Sequence, residues 1–268
     1  MSELDICEGD GMGLIENLLS VVPDGRVVEI RIGLHWTAAV VEVDGKRQCG
    51  LASTVTEEHQ HGREPDIPDA GHLLDIPARE LAQYALSERM PKSSVGMAVL
   101  NALLPDPPDN QLVDINAEDV IARYGAGKSV ALIGSFPFIP RIQDKVGKLT
   151  ILERNPHDGE VPAEMASEVL PQADVVAITS MTLVNHSFEE VFGLCSPEAV
   201  KLMLGPTTPM HQASFDYGVS LLSGSVITDP DAVLRCLEQG ANFRQIHHAG
   251  VRLVTMTSPA LKQADGIN

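Results

Sequence analysis

Near the start of the chain, Leu14, Ile15, Leu18 and Leu19 are spaced to share one face of a short helix, and Pro23-Asp24-Gly25 ends it. Residues 27–32 and 38–43 are β-rich runs, and Asp44-Gly45 ahead of Lys46-Arg47-Gln48-Cys49 predicts a two-residue hairpin turn. Residues 53–76 are polar, contain Pro65 and Pro68, and read as a long loop of the kind that compact domains keep for function or motion. Two helices are predicted next. The first covers 77–86, with Pro77 in its opening turn, and the second covers 93–104, with Ser93 or Ser94 as its cap. The run Pro105-Asp106-Pro107-Pro108-Asp109-Asn110 stops the second helix, because consecutive prolines favour extended backbone. It predicts a boundary between a first domain, 1–110, of α+β type and a second, 111–268.

From about residue 117 the pattern becomes an alternation. Short apolar runs at 129–133, 149–152, 175–178 and 200–204 have the character of strands buried on both faces. Helical stretches at 141–146, 163–170 and 188–194 lie between them as crossovers, and 231–239 is a later helix capped by Asp229 and Pro230. A last strand is expected at 252–256. Strand and helix in this succession predict an α/β fold with a Rossmann-like, doubly wound and mainly parallel sheet.

In such a sheet the ligand crevice lies beyond the carboxyl ends of the strands. The segments there are Gly134-Ser135-Phe136-Pro137-Phe138-Ile139-Pro140, Glu153-Arg154-Asn155-Pro156, Thr179-Ser180-Met181-Thr182 leading to Asn185-His186, and Gly205-Pro206-Thr207-Thr208-Pro209-Met210-His211. Gly and Pro turn chains and Ser or Thr cap helices, so each segment alone has a structural explanation. Their coincidence at four consecutive strand ends favours a binding crevice. The expected ligand-binding residues are Asn101, Gly134, Phe136, Glu153, Thr179, Asn185, Gly205 and Thr207.

Gly134 and Glu153 are separated by about the interval that divides the Gly-rich turn from the ribose-binding carboxylate of dinucleotide folds. The turn nevertheless lacks GxGxxG, and Pro137 and Pro140 remove two backbone donors that a pyrophosphate would use, so ordinary NAD binding is disfavoured. A nucleoside such as S-adenosylmethionine, or an unrelated small ligand, still fits. Alternatively, Glu153 simply pairs with Arg154 or Arg141. Asn101 stands in an apolar, small-residue helix beside Gly96, which lets another element come close. It either satisfies interior backbone groups or reaches a ligand from above the crevice.

Composition narrows the function classes. Lys and Arg number 19 against 37 Asp and Glu, a formal charge of −18 that repels a phosphate backbone and argues against nucleic acid. No apolar run is long enough for a membrane span, and the acidic Met1-Ser2-Glu3-Leu4-Asp5 does not resemble a signal peptide, so a cytoplasmic location is expected. The four cysteines form no CxxC pair. Nine histidines raise metal binding or proton transfer. His59, His61 and His72 could hold a divalent metal, although HExxH and zinc-finger spacings are absent and a solvated His-rich loop is the simpler reading. His186 and His211 lie on the crevice side and are the candidate catalytic bases. There is no GxSxG elbow and no Walker A sequence. The apolar helices serve either a core or the seam of a homo-oligomer.

The motifs Gly134-Ser-Phe-Pro-Phe-Ile-Pro-Arg141, Leu152-Glu153, Leu170-Pro171-Gln172-Ala173-Asp174-Val175-Val176, Gly205-Pro206-Thr207-Thr208-Pro209 and Phe215-Asp216-Tyr217-Gly218-Val219 resemble a two-domain family of unknown function labelled for heavy-metal chelation. Ser94-Val95-Gly96-Met97-Ala98-Val99-Leu100-Asn101-Ala102 resembles the signature of its N-terminal part. The resemblance implies an N-terminal domain like that of enolase, a following Rossmann-like domain partly similar to methyltransferases, and a site between them. It also implies a role in metal or metal-chelate handling, or in condensation or hydrolysis of pterin-, flavin- or siderophore-like molecules.

Overall fold

The structure, a computed structural model, describes residues 12–56 and 64–265. Strands β1 (Arg26–Ile32), β2 (Trp36–Val43) and β3 (Lys46–Ser53) form an antiparallel meander in the order β1-β2-β3. The β2–β3 turn is the predicted hairpin: Asp44 and Gly45 both have positive φ, 50° and 75°, as a type I′ turn requires.

β2 reads as a continuous apolar run because both of its faces are covered. Ala39 and Val41 join the core around helix Met90–Leu103, while Ala38 and Val40 pack with Val233, Leu234 and Leu237 of helix Pro230–Glu238. The Met90–Leu103 helix is buried almost all round, which is why its sequence shows no polar face. Two glycines permit this packing. A Cβ on Gly50 would lie 2.2 Å from the Ala98 carbonyl oxygen, and one on Gly96 only 1.8 Å from the Ala85 nitrogen.

The helix begins at Met90, with Pro91 in its first turn, three residues earlier than expected. Ser93 and Ser94 are therefore interior rather than capping, and their hydroxyls donate to the carbonyls of Ala85 and Met90. The expected helix at 77–86 divides into helix Ala78–Ala82 and a 3₁₀ turn, Gln83–Leu86.

The second sheet contains β4 (Ser129–Ile133), β5 (Lys148–Glu153), β6 (Val161–Pro162), β7 (Val175–Thr179), β8 (Val200–Leu204), β9 (Leu221–Ile227) and β10 (Val251–Thr257). Their order is β10-β9-β8-β7-β4-β5-β6, parallel throughout except for β10, which runs antiparallel to β9. The order reverses between β4 and β7, which places a topological switch point between Gly134 and Thr179. Helix Ala117–Gly125, capped by the Asn116 side chain, covers one sheet face through Val120 and Ile121 against Val130, Leu132 and Leu204. Ala131, Val176, Ile178, Met203 and Leu222 look the other way, into the core shared with the N-terminal helices.

Several connections differ from expectation. The crossover expected at 141–146 is a single turn, Ile139–Ile142, and the helix expected at 163–170 breaks into a 3₁₀ turn, helix Ala166–Val169 and another 3₁₀ turn containing Pro171. Proline supplies no backbone donor to continue a helix ladder. No helix among the described residues is long and apolar enough to cross a membrane.

Candidate small-molecule site

A cavity of about 370 Å³ opens beside the carboxyl ends of β4 and β8. Phe136 and Phe138, on the loop after β4, line it as a stacked pair with centroids 5.1 Å apart and planes 18° from parallel. Trp36 enters from the start of β2 and Phe243 from the first turn of helix Phe243–Gly250, their centroids 5.5 Å apart. Gly205 and Pro206 after β8, Ser223 and Gly224 in β9, and Leu253 in β10 contribute further lining. The small sheet, the loop after β4 and helix Phe243–Gly250 thus all supply aromatic surface to one apolar space, within the usual size range of ligand pockets.

Polar groups are few and mostly committed. The Thr255 hydroxyl donates to the Ile115 carbonyl at 2.8 Å, so the 2.7 Å bond between Ser223 and Thr255 is donated by Ser223, leaving the Ser223 oxygen as an acceptor. Glu118 and Arg141 are the charged residues of the lining. The Arg141 Nε lies 3.0 and 2.9 Å from the two Glu118 oxygens, and Nη2 lies 2.7 Å from Oε2. These hydrogen bonds hold the Glu118 carboxyl below its usual range and raise Arg141. Lys145 stands 3.8 Å from the same carboxylate.

Phe136 and Gly205 line this cavity. Gly134 and Thr179 lie behind Phe136: Gly134 has φ +99°, and a Cβ there would sit 3.3 Å from both Phe136 and Thr179. Glu153 ends β5 beside Leu152, whose carbonyl accepts from the Gly134 N–H at 3.0 Å. Of its two expected arginine partners, Arg141 engages Glu118 instead. Asn185 accepts from the backbone and hydroxyl of Ser187, as a local turn does.

Asn101 and Thr207 meet each other away from the large cavity. The Asn101 amide donates to the carbonyls of Leu51 at 3.0 Å and Thr207 at 2.9 Å, tying β3 to the loop after β8. The Thr207 hydroxyl is fully buried and accepts from the Ser53 N–H. Asn101 also lines a space of about 40 Å³ with Cys49 and Asp106, enough for water but not for an organic ligand. Burial there pushes the Cys49 thiol up to about 12 and raises the Asp106 carboxyl.

Neither candidate base lines the 370 Å³ cavity. His186 is exposed, has φ 56°, and places Nε2 2.7 Å from the Ser87 carbonyl, to which it donates. His211 caps helix Gln212–Asp216, with Nδ1 accepting from the Ala213 N–H, and burial lowers its pKa. His59 and His61 lie outside the described residues. His72 is exposed and sits 3.3 Å from Asp75. Among the described residues no three His, Cys, Asp or Glu side chains gather in a way that could hold a metal ion.

Sequence reasoning did not select Trp36, Phe138, Glu118, Arg141, Ser223 or Phe243. Phe138 and Arg141 stand inside the Gly134–Arg141 motif, where aromatics alternate with prolines, and Asn116 three residues before Asp119 signals the helix start that positions Glu118. Trp36 and Phe243 meet only through the tertiary fold.

Two family models, both described as "Putative heavy-metal chelation", match residues 15–104 and 116–256. The chain belongs to this family. An uncharacterised protein of Methanocaldococcus jannaschii is 25% identical over 230 residues, covering 83% of this chain and 87% of that one. A crystal structure of a family member of unknown function from Desulfitobacterium hafniense superposes with a TM-score of 0.77 at 24% identity, over 91% of this chain and 98% of the other. A second, from Pyrococcus horikoshii, gives 0.75 at 19% identity with the same coverage. These likenesses establish the shared fold.

Proposed function

We propose that the protein binds a small organic molecule in the 370 Å³ cavity, and that any heavy metal it handles arrives as a complex held by that molecule's own donors. The supporting observation is the lining: four aromatic rings, from β2, the loop after β4 and helix Phe243–Gly250, border an apolar space with few polar groups. Such surface suits a largely planar, carbon-rich ligand far better than a bare cation, which requires several converging donors. The family description points to metal, and the described side chains offer no cluster to ligate it directly. A chelate accommodates both facts.

Native mass spectrometry with elemental analysis tests this reading, on protein purified without an affinity tag. The expected result is a non-covalent adduct of a few hundred daltons that disappears on denaturation, with any metal leaving in the same fraction. Metal retained stoichiometrically without an organic adduct would contradict it.

A further inference from the structure

Arg141 is fixed at the cavity without being used up. Its Nε and one Nη2 hydrogen face Glu118, and Nη1 approaches the Pro137 carbonyl at 3.4 Å. A guanidinium carries five N–H donors, so one hydrogen on each terminal nitrogen remains for an oxyanion acceptor. The charge balance agrees. Arg141 and Lys145 share the single carboxylate of Glu118, which can neutralise only one of the two cations, in a chain whose formal charge is −18. Glu118 is 14% exposed and holds its partner in place, whereas Arg141 is 60% exposed and open to a ligand.

On the basis of the cavity reading above, we infer that the ligand is an aromatic or similarly flat apolar body carrying an oxyanion, carboxylate or phosphate, that docks on Arg141 while the body lies among the aromatic rings. Glu118 is then a positioning residue, presenting the guanidinium in one orientation.

The test uses three probes of one ring system: 2-naphthoate, 2-naphthyl phosphate and the neutral 2-naphthalenemethanol. Their affinities are measured by ligand-observed NMR titration against the full chain and its Arg141→Gln and Ala117→Phe variants. At least one anion is expected to bind the full chain roughly tenfold more tightly than the alcohol, the scale of a charge-assisted hydrogen bond. Which anion does so distinguishes carboxylate from phosphate. In Arg141→Gln the preference should vanish while the alcohol's affinity stays within about threefold. Equal binding of all three probes to the full chain, or a preference that survives Arg141→Gln, overturns the oxyanion assignment and leaves the cavity reading standing. Alcohol binding unaffected by Ala117→Phe, which places a ring in the cavity, overturns the cavity reading and this inference with it. Circular dichroism of each variant confirms that it is folded.

Discussion

The Ser53 backbone N–H donates to the buried hydroxyl of Thr207 at 2.9 Å, joining the last residue of β3 to the loop after β8. The Asn101 amide bridges the carbonyls on either side of this junction, at Leu51 and Thr207. The residues selected from sequence as ligand contacts at this point therefore fasten the small sheet to the large one. Thr207→Val keeps the shape and removes the acceptor, stranding a buried N–H. It should cost about 1–3 kcal/mol, read as a lowered urea midpoint with an unchanged slope. An unchanged midpoint would show that the junction contributes nothing to stability.

The close approach at Gly96 predicts a sharper loss. A Cβ there would meet backbone atoms, the Ala85 nitrogen at 1.8 Å and the Tyr84 carbonyl carbon at 2.3 Å, and backbone cannot rotate aside as a side chain can. Gly96→Ala should destabilise by about 3 kcal/mol, at the upper end of overpacking costs. Gly193→Ala is the control: nothing lies within 4 Å of its added methyl and its φ is ordinary, so it should be neutral or stabilising by up to about 1 kcal/mol. Equal thermal shifts for the two variants would refute the packing argument.

His211 makes stability depend on pH in a definite direction. Burial disfavours its charged form against the opposing pull of Asp216, so its folded pKa lies below the usual 6.5, and its Nδ1 acts as a helix cap only while unprotonated. Between the folded pKa and 6.5 the unfolded chain binds more protons, so this contribution is complete above pH 6.5 and is lost as pH falls through the folded value. His211→Asn keeps an acceptor at the cap without a titrating ring. Denaturant midpoints between about pH 7 and pH 5 should fall less steeply for this variant than for the parent. Parallel slopes would assign the pH dependence elsewhere.

Much of the fold was legible because local signals agreed with the tertiary outcome. The Asp44-Gly45 hairpin, the strands β4, β5, β7 and β8 and the cap at Asp229 are examples in which turn chemistry and apolar runs coincide. β9 escaped because Ser223, Gly224 and Ser225 interrupt its apolar pattern. Each has a tertiary reason: Ser223 bonds Thr255, a Cβ on Gly224 would lie 2.5 Å from the Met210 sulfur, and Ser225 bonds Pro206. The cavity was legible only on the side contributed by Phe136 and Gly205. Its other side needs Trp36 and Phe243, which local periodicity cannot bring together.

We propose this cavity, rather than a side-chain metal cluster, as the place where the protein meets its ligand. Crystals soaked with a library of small, mostly aromatic fragments test it most directly. Fragments are expected to gather between Phe136, Phe138, Trp36 and Phe243, with acidic members turned toward Arg141. Fragments that collect elsewhere on the molecule while this space stays empty would contradict it.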